Sequence, residues 1–302
     1  MSPRTLAVVV TYNRCVLLSR CLEHLQREVS LPDSILVINN GSIDETEAML
    51  RDRGIRYVTQ ENVGSAGGWH LGIQCALDEG FDAVWLMDDD GFPGSGALAA
   101  LKASMSPGVS CASSVVLRED RPTHFVFPFP LLNAAGQPVI FRRPRNLATL
   151  VDLRHVATDG IYPFAHLFNG ALVSLAAVRR IGNVNRDYFI YGDEVDYFFR
   201  LRKAGSVISV LNAMHYHPDV SNRPFSPAKV YYYVKNSLVL NARYHNAVWV
   251  RHALLLVAIL GRMGKRNGIV FVFSLLMGRY ALVFYTAVFR GLKGKIGKDF
   301  HG

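Results

Sequence analysis

Three consecutive carboxylates, Asp88-Asp89-Asp90, close the apolar run Ala83–Met87. The run is short, apolar and rich in β-forming residues, so it predicts a buried strand. In an open parallel sheet, ligands collect beyond the carboxyl ends of the strands. Two like unit charges ~4 Å apart repel by about 4 kcal/mol at an effective dielectric of 20. A positive partner must offset that cost. A divalent ion held by one or two carboxylates, Mn²⁺ or Mg²⁺, keeps open positions for the oxygens of a diphosphate. Asp88, Asp89 and Asp90 are the candidates to hold such an ion or to contact the bound nucleotide.

Two further clusters carry chemistry. His215 and His217 stand two residues apart after the expected strand Val207–Leu211, so they share a face. A neutral imidazole is a reasonable third ligand for Mn²⁺. Asp193, Glu194 and Asp196 open a helix expected from Glu194 to Ala204, with Gly205 as its stop. The helix dipole alone favours acids there by about 0.3–1 kcal/mol. The cluster by itself therefore leaves capping and catalysis both open.

The elements that must position these groups are legible as an alternation. Leu6–Thr11, Ile35–Ile38, Ile55–Thr59 and the run before the carboxylates predict strands. Helices are expected from Cys15 to Arg27 with Asn13 as cap, and from a Ser42/Glu45 capping box to Arg53. Another is expected after the glycine-rich loop Asn62–Gly68. This predicts a doubly wound, mostly parallel α/β sheet with helices on both faces. Thr11-Tyr12-Asn13, Asn39-Asn40-Gly41-Ser42, Asn62–Gly68 and Asp88–Asp90 can then converge on one crevice. Thr11, Tyr12, Asn13, Asn40, Asn62, Gly67 and Gly68 are the candidate contacts to a nucleotide diphosphate. There is no GxxxxGK[ST], and Gly64…Gly68 is not GxGxxG, so neither a P-loop nor a dinucleotide fold is supported. TYNRCVLLSRC also lacks the basic glycine-rich loop that nucleotidyltransferases use.

Residues 6–100 closely resemble the nucleotide-sugar-binding half of family 2 glycosyltransferases, which have the GT-A fold. VVVTYNR (Val8–Arg14), VINNGSIDET (Val37–Thr46), ENVGSAGGW (Glu61–Trp69) and WLMDDD (Trp85–Asp90) carry the likeness, the last as the DxD motif. The resemblance implies that Asp88 and Asp90 hold metal and diphosphate, while Thr11, Tyr12 and Asn40 line the base and ribose. Asn40 departs from the family's frequent Asp. The resemblance also implies inversion at the sugar, with a base taking the acceptor hydroxyl's proton. Glu194 matches that position, and Asp193 competes with it. His217, followed by Ser221, fits the metal-binding His of galactofuranosyltransferase members. YYYVKN (Tyr231–Asn236) is similar to the YYxxRN element of rhamnosyl- and galactofuranosyltransferases. UDP-galactofuranose is the expected donor, with dTDP-rhamnose as alternative. The expected acceptor is a lipid-linked or cell-surface glycan, as in cell-envelope polysaccharide biosynthesis. A non-catalytic nucleotide-sugar-binding scaffold is the non-enzymatic rival.

Composition limits the setting. Of 302 residues, 50% are hydrophobic, which excludes a disordered chain. The four cysteines form no CxxC pair, so they read as reduced thiols and not as a zinc site. The formal charge is +9. Residues 241–302 hold ten Lys/Arg against the single acid Asp299, so they carry the whole excess. Residues 1–225 are expected to form the glycosyltransferase domain, divided near residue 100 into donor and acceptor halves. Residues 226–302 are expected to form a helical, basic extension. Gly268–Phe289 is apolar, but Arg279 at its centre costs about 2.5–3.5 kcal/mol on insertion scales. Peripheral binding to an anionic membrane surface, on its cytoplasmic inner face, is therefore expected, without nucleic-acid binding. Oligomeric state is left open.

Overall fold

The computed structural model describes residues 3–139 and 144–300. The chain runs β1 (Thr5–Thr11), α1 (Cys15–Gln26), β2 (Ser34–Asn39), α2 (Thr46–Asp52), β3 (Tyr57–Thr59), α3 (Gly64–Asp78), β4 (Ala83–Asp88), β5 (Phe92–Pro93), α4 (Ala97–Ser104) and β6 (Val109–Arg118). It continues with β7 (His124–Pro130), β8 (Asn146–Thr149), α5 (Leu150–Val156), β9 (Ile161–Tyr162), β10 (Asn169–Ser174), α6 (Leu175–Ile181), α7 (Asp193–Ala204) and β11 (Ser206–His217). The helices α8 (Pro227–Tyr244), α9 (Val248–Asn267), α10 (Ile269–Leu276) and α11 (Ala281–Leu292) follow. Contacts divide the chain into two compact units: Met1–Val184 with Tyr197–Asp219, and Asn185–Asp196 with Val220–Gly302. Residues 185–196 were expected to belong with the first domain. They pack with the C-terminal helices instead.

In the first unit the sheet order is β3-β2-β1-β4-β10-β6-β11-β5. Strands β3, β2, β1 and β4 are mutually parallel, and β11 is parallel to β6. β10 runs antiparallel to both of its neighbours. The alternation of strand side chains assigns the two faces. Ala7, Val9, Trp85 and Met87 pack with Leu18, Leu22 and Leu25 of α1 and Leu98 and Leu101 of α4. Val8 and Val10 point the other way, towards α3.

Helix α3 begins at Gly64, so most of the expected glycine loop is its first turns. The reason is close packing. A Cβ on Gly68 would lie 2.6 Å from Val10 Cγ1, and one on Gly72 would lie 2.4 Å from Val8 Cγ1 and 3.3 Å from Ile38 Cγ1. Glycines at this spacing let the helix lie against the sheet. Trp69 is 1% exposed and stacks on Phe168 at 4.5 Å, so it belongs to the core. Gly72→Ala gains about 1 kcal/mol of helix propensity but meets two stiff β-branched side chains, an overpacking that costs about 1–3 kcal/mol. A net loss of stability, seen as a lower urea midpoint at unchanged slope, is the expected outcome.

In the second unit, α8 starts at Pro227 behind a capping Ser226, whose hydroxyl accepts from Lys229 N at 3.3 Å. Val230, Tyr231, Val234 and Leu238 of α8 pack with Ile259 and Met263 of α9, Leu275 of α10, and Phe284 and Ala287 of α11. Among the described residues no single helix is long and apolar enough to cross a membrane. The apolar stretch around Arg279 is broken into α10 and α11, bent by 66°.

Candidate active site

Strand β1 lies between β2 and β4, so the carboxyl ends of β1 and β4 form the switch point where an open sheet leaves a crevice. Thr11 ends β1 opposite Asn39, and Asp88 ends β4 opposite Val10. The Asp88 N–H donates to the Phe168 carbonyl at 2.9 Å, and the chain then turns through Asp89 and Asp90. Both turn carboxylates are buried, at 3% exposure each.

The positive charge that the carboxylates require is present in the protein itself. Arg14 Nη1 lies 2.9 Å from Asp89 Oδ1 and 3.0 Å from Asp90 Oδ2. Thr11 donates its hydroxyl to Asp89 Oδ2 at 2.7 Å. Burial pushes the Asp89 carboxyl above its ordinary range, opposed by Arg14 and the Thr11 hydrogen bond. Burial works against the Arg14 charge, but Asp89 and Asp90 outweigh it and hold the guanidinium protonated. Arg14 stood in the VVVTYNR run, but nothing in the sequence showed that the start of α1 faces the end of β4.

Asp90 has a second partner. His217 Nε2 lies 2.9 Å from Asp90 Oδ1, and both side chains are about 4% exposed. His217 Nδ1 lies 2.7 Å from the Pro218 carbonyl. A carbonyl can only accept, so Nδ1 carries a proton and Nε2 is the nitrogen aimed at Asp90. A metal-binding histidine is commonly oriented in this way, with one N–H on a carbonyl and the other nitrogen on the ion. Arg20 donates to the Asp90 carbonyl at 3.0 Å and forks onto Glu119 at 2.8 and 2.9 Å, while Glu119 N donates to the His217 carbonyl at 3.2 Å. This backbone lacing fixes Asp90 against His217.

The oxygen and nitrogen donors of Asp90 and His217 suit Mn²⁺ or Mg²⁺. Among the described residues, however, no three His, Cys, Asp or Glu side chains converge as a ligand set. The expected trio of Asp88, Asp90 and His217 is thus brought together only in its Asp90–His217 part. His215 is fully buried with neither ring nitrogen bonded, and burial pushes it down to about 3. It packs against Gly91, where a Cβ would lie 2.3 Å from its Nε2.

The other candidate donor contacts are mostly built into the scaffold. Asn13 does not cap α1. Its backbone takes φ 53°, its Oδ1 accepts from Ile43 N at 2.8 Å, and its N–H donates to Ser42 Oγ at 2.9 Å. Ser42 is therefore engaged away from α2, and the expected capping box is absent. Thr46 N donates to Asp44 Oδ1 instead. Asn40 Nδ2 donates to the Gly64 carbonyl at 3.0 Å, and Asn40 Oδ1 accepts from Gln60 Nε2 at 3.0 Å. Asn62 Oδ1 accepts from Gly64 N at 3.0 Å. These amides hold the turns after β2 and β3 together. Gly67 makes room for Val63, as Gly68 does for Val10. Tyr12 is the exception, with its ring 46% exposed.

In the second unit, Asp193, Glu194 and Asp196 occupy the first turn of α7. Asp193 is 4% exposed, whereas Glu194 is only partly buried. Asp196 Oδ1 accepts from Tyr244 Oη at 2.6 Å, Arg243 Nη1 at 3.2 Å and Tyr188 Oη at 3.4 Å. The segment leading into the acids is strained: Phe189 and Tyr191 take φ of 63° and 58°. Such conformations cost about 1–3 kcal/mol each and persist where the surroundings impose them. Asn236 does so, donating from Nδ2 to the carbonyls of Tyr188, Ile190 and Tyr191 at 3.0, 2.9 and 2.7 Å. Lys235 beside it is fully buried. It donates to the Gly297 carbonyl at 2.8 Å and pairs with Asp299. The YYYVKN run signalled Asn236 without disclosing this grip. Asn236→Asp keeps the shape but loses the donors, so the loop carbonyls face a carboxylate. A loss of about 1–3 kcal/mol, read from chemical unfolding, is the expected outcome, with a parallel fall in turnover.

Residues 6–150 match the profile described as Glycosyl transferase family 2. Galactofuranosyltransferase GlfT1 of Mycobacterium tuberculosis (strain CDC 1551 / Oshkosh) is 32% identical over 236 residues, covering 75% of this chain and 74% of that protein. The structure of mannosyltransferase PcManGT from Pyrobaculum calidifontis in complex with GDP-Man and Mn²⁺ superposes with a TM-score of 0.55 at 16% identity, covering 97% of this chain and 85% of that one. GalNAc-T7 with UDP, GalNAc and Mn²⁺ gives a TM-score of 0.59 at 14% identity, over 83% of this chain and 49% of that one. The two likenesses show a shared GT-A fold.

Proposed function

We propose that this chain, which belongs to glycosyl transferase family 2, transfers galactofuranose from UDP-galactofuranose, with inversion, to a hydroxyl of a lipid-linked or cell-surface glycan. The observation that carries the metal-dependent part is the Asp90–His217 pair, oriented by the Pro218 carbonyl. Asp90 and His217 would hold Mn²⁺ or Mg²⁺, with Asp88 as the further carboxylate that the DxD motif supplies. When bound, the ion neutralises the charge that gathers on the departing nucleoside diphosphate. The Mn²⁺ present with GDP-Man in PcManGT and with UDP in GalNAc-T7 supports that role.

The protein's own groups do the rest. Arg14 balances the Asp89 and Asp90 charges and keeps a cation at the end of β4. Thr11 and Arg20 hold Asp89 and the Asp90 backbone in place, and exposed Tyr12 offers a ring to the nucleoside. Glu194 accepts the proton of the acceptor hydroxyl, an assignment that rests on the resemblance of the Asp193–Asp196 run to the family's base element. The 32% identity to a galactofuranosyltransferase supports the choice of donor. Incubation with a panel of nucleotide sugars and Mn²⁺, read as nucleoside diphosphate release, tests it. UDP release from UDP-galactofuranose above all other donors is expected. Faster turnover of dTDP-rhamnose would overturn the donor, and no release from any sugar would favour the binding scaffold.

A further inference from the structure

We propose that α10 and α11 seat the second unit on the surface of an anionic lipid bilayer. This does not depend on the donor or base assigned above. A surface helix normally turns a polar face to water. These two do not. On α11, Phe284, Ala287 and Gly291 face inward, while Leu282, Tyr285, Phe289 and Leu292 form an exposed stripe at spacings of three and four residues. Leu282 is 79% exposed. On α10, Val272 and Leu275 face inward, while Ile269, Val270 and Phe273 face outward, followed by Met277 just past its end. Val270 is 78% and Met277 77% exposed. Each helix therefore turns an apolar side to solvent as well as to the core, with Ser274, Thr286 and Arg290 only partly exposed.

Charge selects the occupant. Exposed Lys265 precedes α10, exposed Arg279 stands in the bend, and exposed Lys293 and Lys295 follow α11. The segment's single acid, Asp299, is paired with Lys235 and Arg290. A second copy would bring the same apolar stripe with the same excess of positive charge, and the two would repel. A bilayer containing anionic lipid offers acyl chains to the stripes and negative headgroups to the flanking cations. At 1.5 Å per residue, 8 and 12 residues reach about 12 and 18 Å, well short of the ~30 Å hydrocarbon core. Neither helix alone crosses it; the pair together has the length for a broken span, but the 66° bend and exposed Arg279 between them favour both helices lying in the interface.

The test is co-sedimentation of the full chain with vesicles of phosphatidylcholine alone and of phosphatidylcholine mixed with phosphatidylglycerol. Wild type is expected to pellet with the mixed vesicles and to be released by high salt. Phe273→Ser with Phe289→Ser, and separately Lys293→Glu with Lys295→Glu, are each expected to lower the vesicle partition coefficient by about tenfold or more. Circular dichroism and donor hydrolysis in solution should be unchanged in both, which separates lost docking from lost folding or lost catalysis. Wild type remaining in the supernatant would overturn the proposal. So would equal binding of wild type and variants to both kinds of vesicle. Self-association in sedimentation velocity that the Phe variants abolish, with no vesicle binding, would assign the face to a second copy instead.

Discussion

Asp90→Ala is expected to lower the proposed metal-supported transfer by about 10²–10³-fold or more while the first unit stays folded. Asp90 contacts both Arg14 and His217. Removing it takes away the carboxylate beside His217 Nε2 and leaves the guanidinium with Asp89. Breaking a fully buried ion pair costs about 3–5 kcal/mol. Here the cost is smaller, because the Arg14 side chain is 41% exposed and keeps Asp89. Two readouts divide the outcomes. Mn²⁺ without donor should raise the wild-type unfolding midpoint, by about 2.7 kcal/mol of stabilisation at a hundredfold excess over Kd. Asp90→Ala and His217→Ala should each erase that shift. Nucleoside diphosphate release should then fall in both variants and in chelator-treated wild type. Full turnover by Asp90→Ala in the presence of chelator, matching untreated wild type, would remove the metal from the reaction and leave Arg14 as the cation at this site.

The parts of this site that local physics dictates were legible from sequence, and those that need one element to find another were not. β1 and β4 are buried on both faces, so their apolar runs announced them within a residue or two. The carboxylates at the end of β4 implied a compensating cation, but sequence could not say which. Arg14 reaches them only because α1 packs on the Ala7 and Val9 face of the sheet. Local rules failed where side chains had tertiary partners to prefer. Ser42 and Glu45 have capping spacing, yet Ser42 bonds Asn13 across two turns. Asn62–Gly68 has loop composition, yet Gly68 and Gly72 serve helix-to-strand contact. Asn236 lies 45 to 48 residues beyond the carbonyls it grips, a relation that no periodicity encodes.

Glu194→Gln should leave donor affinity within about twofold and lower transfer by about 10²–10⁴-fold, the range a positioned general base contributes. The amide keeps the length and most of the hydrogen-bonding capacity of the carboxylate but cannot take the acceptor's proton. The three acids of α7 differ in surroundings, and their variants should separate. Asp196 spends one oxygen on Tyr188, Arg243 and Tyr244. Asp196→Asn should therefore act chiefly on stability, by about 1–3 kcal/mol, with turnover recovering in stabilising conditions. Asp193 is nearly buried while Glu194 is only partly so, which leaves Glu194 the more accessible to an acceptor hydroxyl. Donor binding measured calorimetrically, beside single-turnover transfer for Asp193→Asn and Glu194→Gln, decides between them. If Glu194→Gln transfers at close to the wild-type rate while Asp193→Asn binds donor and stalls, the base is Asp193, and the extra methylene of Glu194 serves the acceptor's fit.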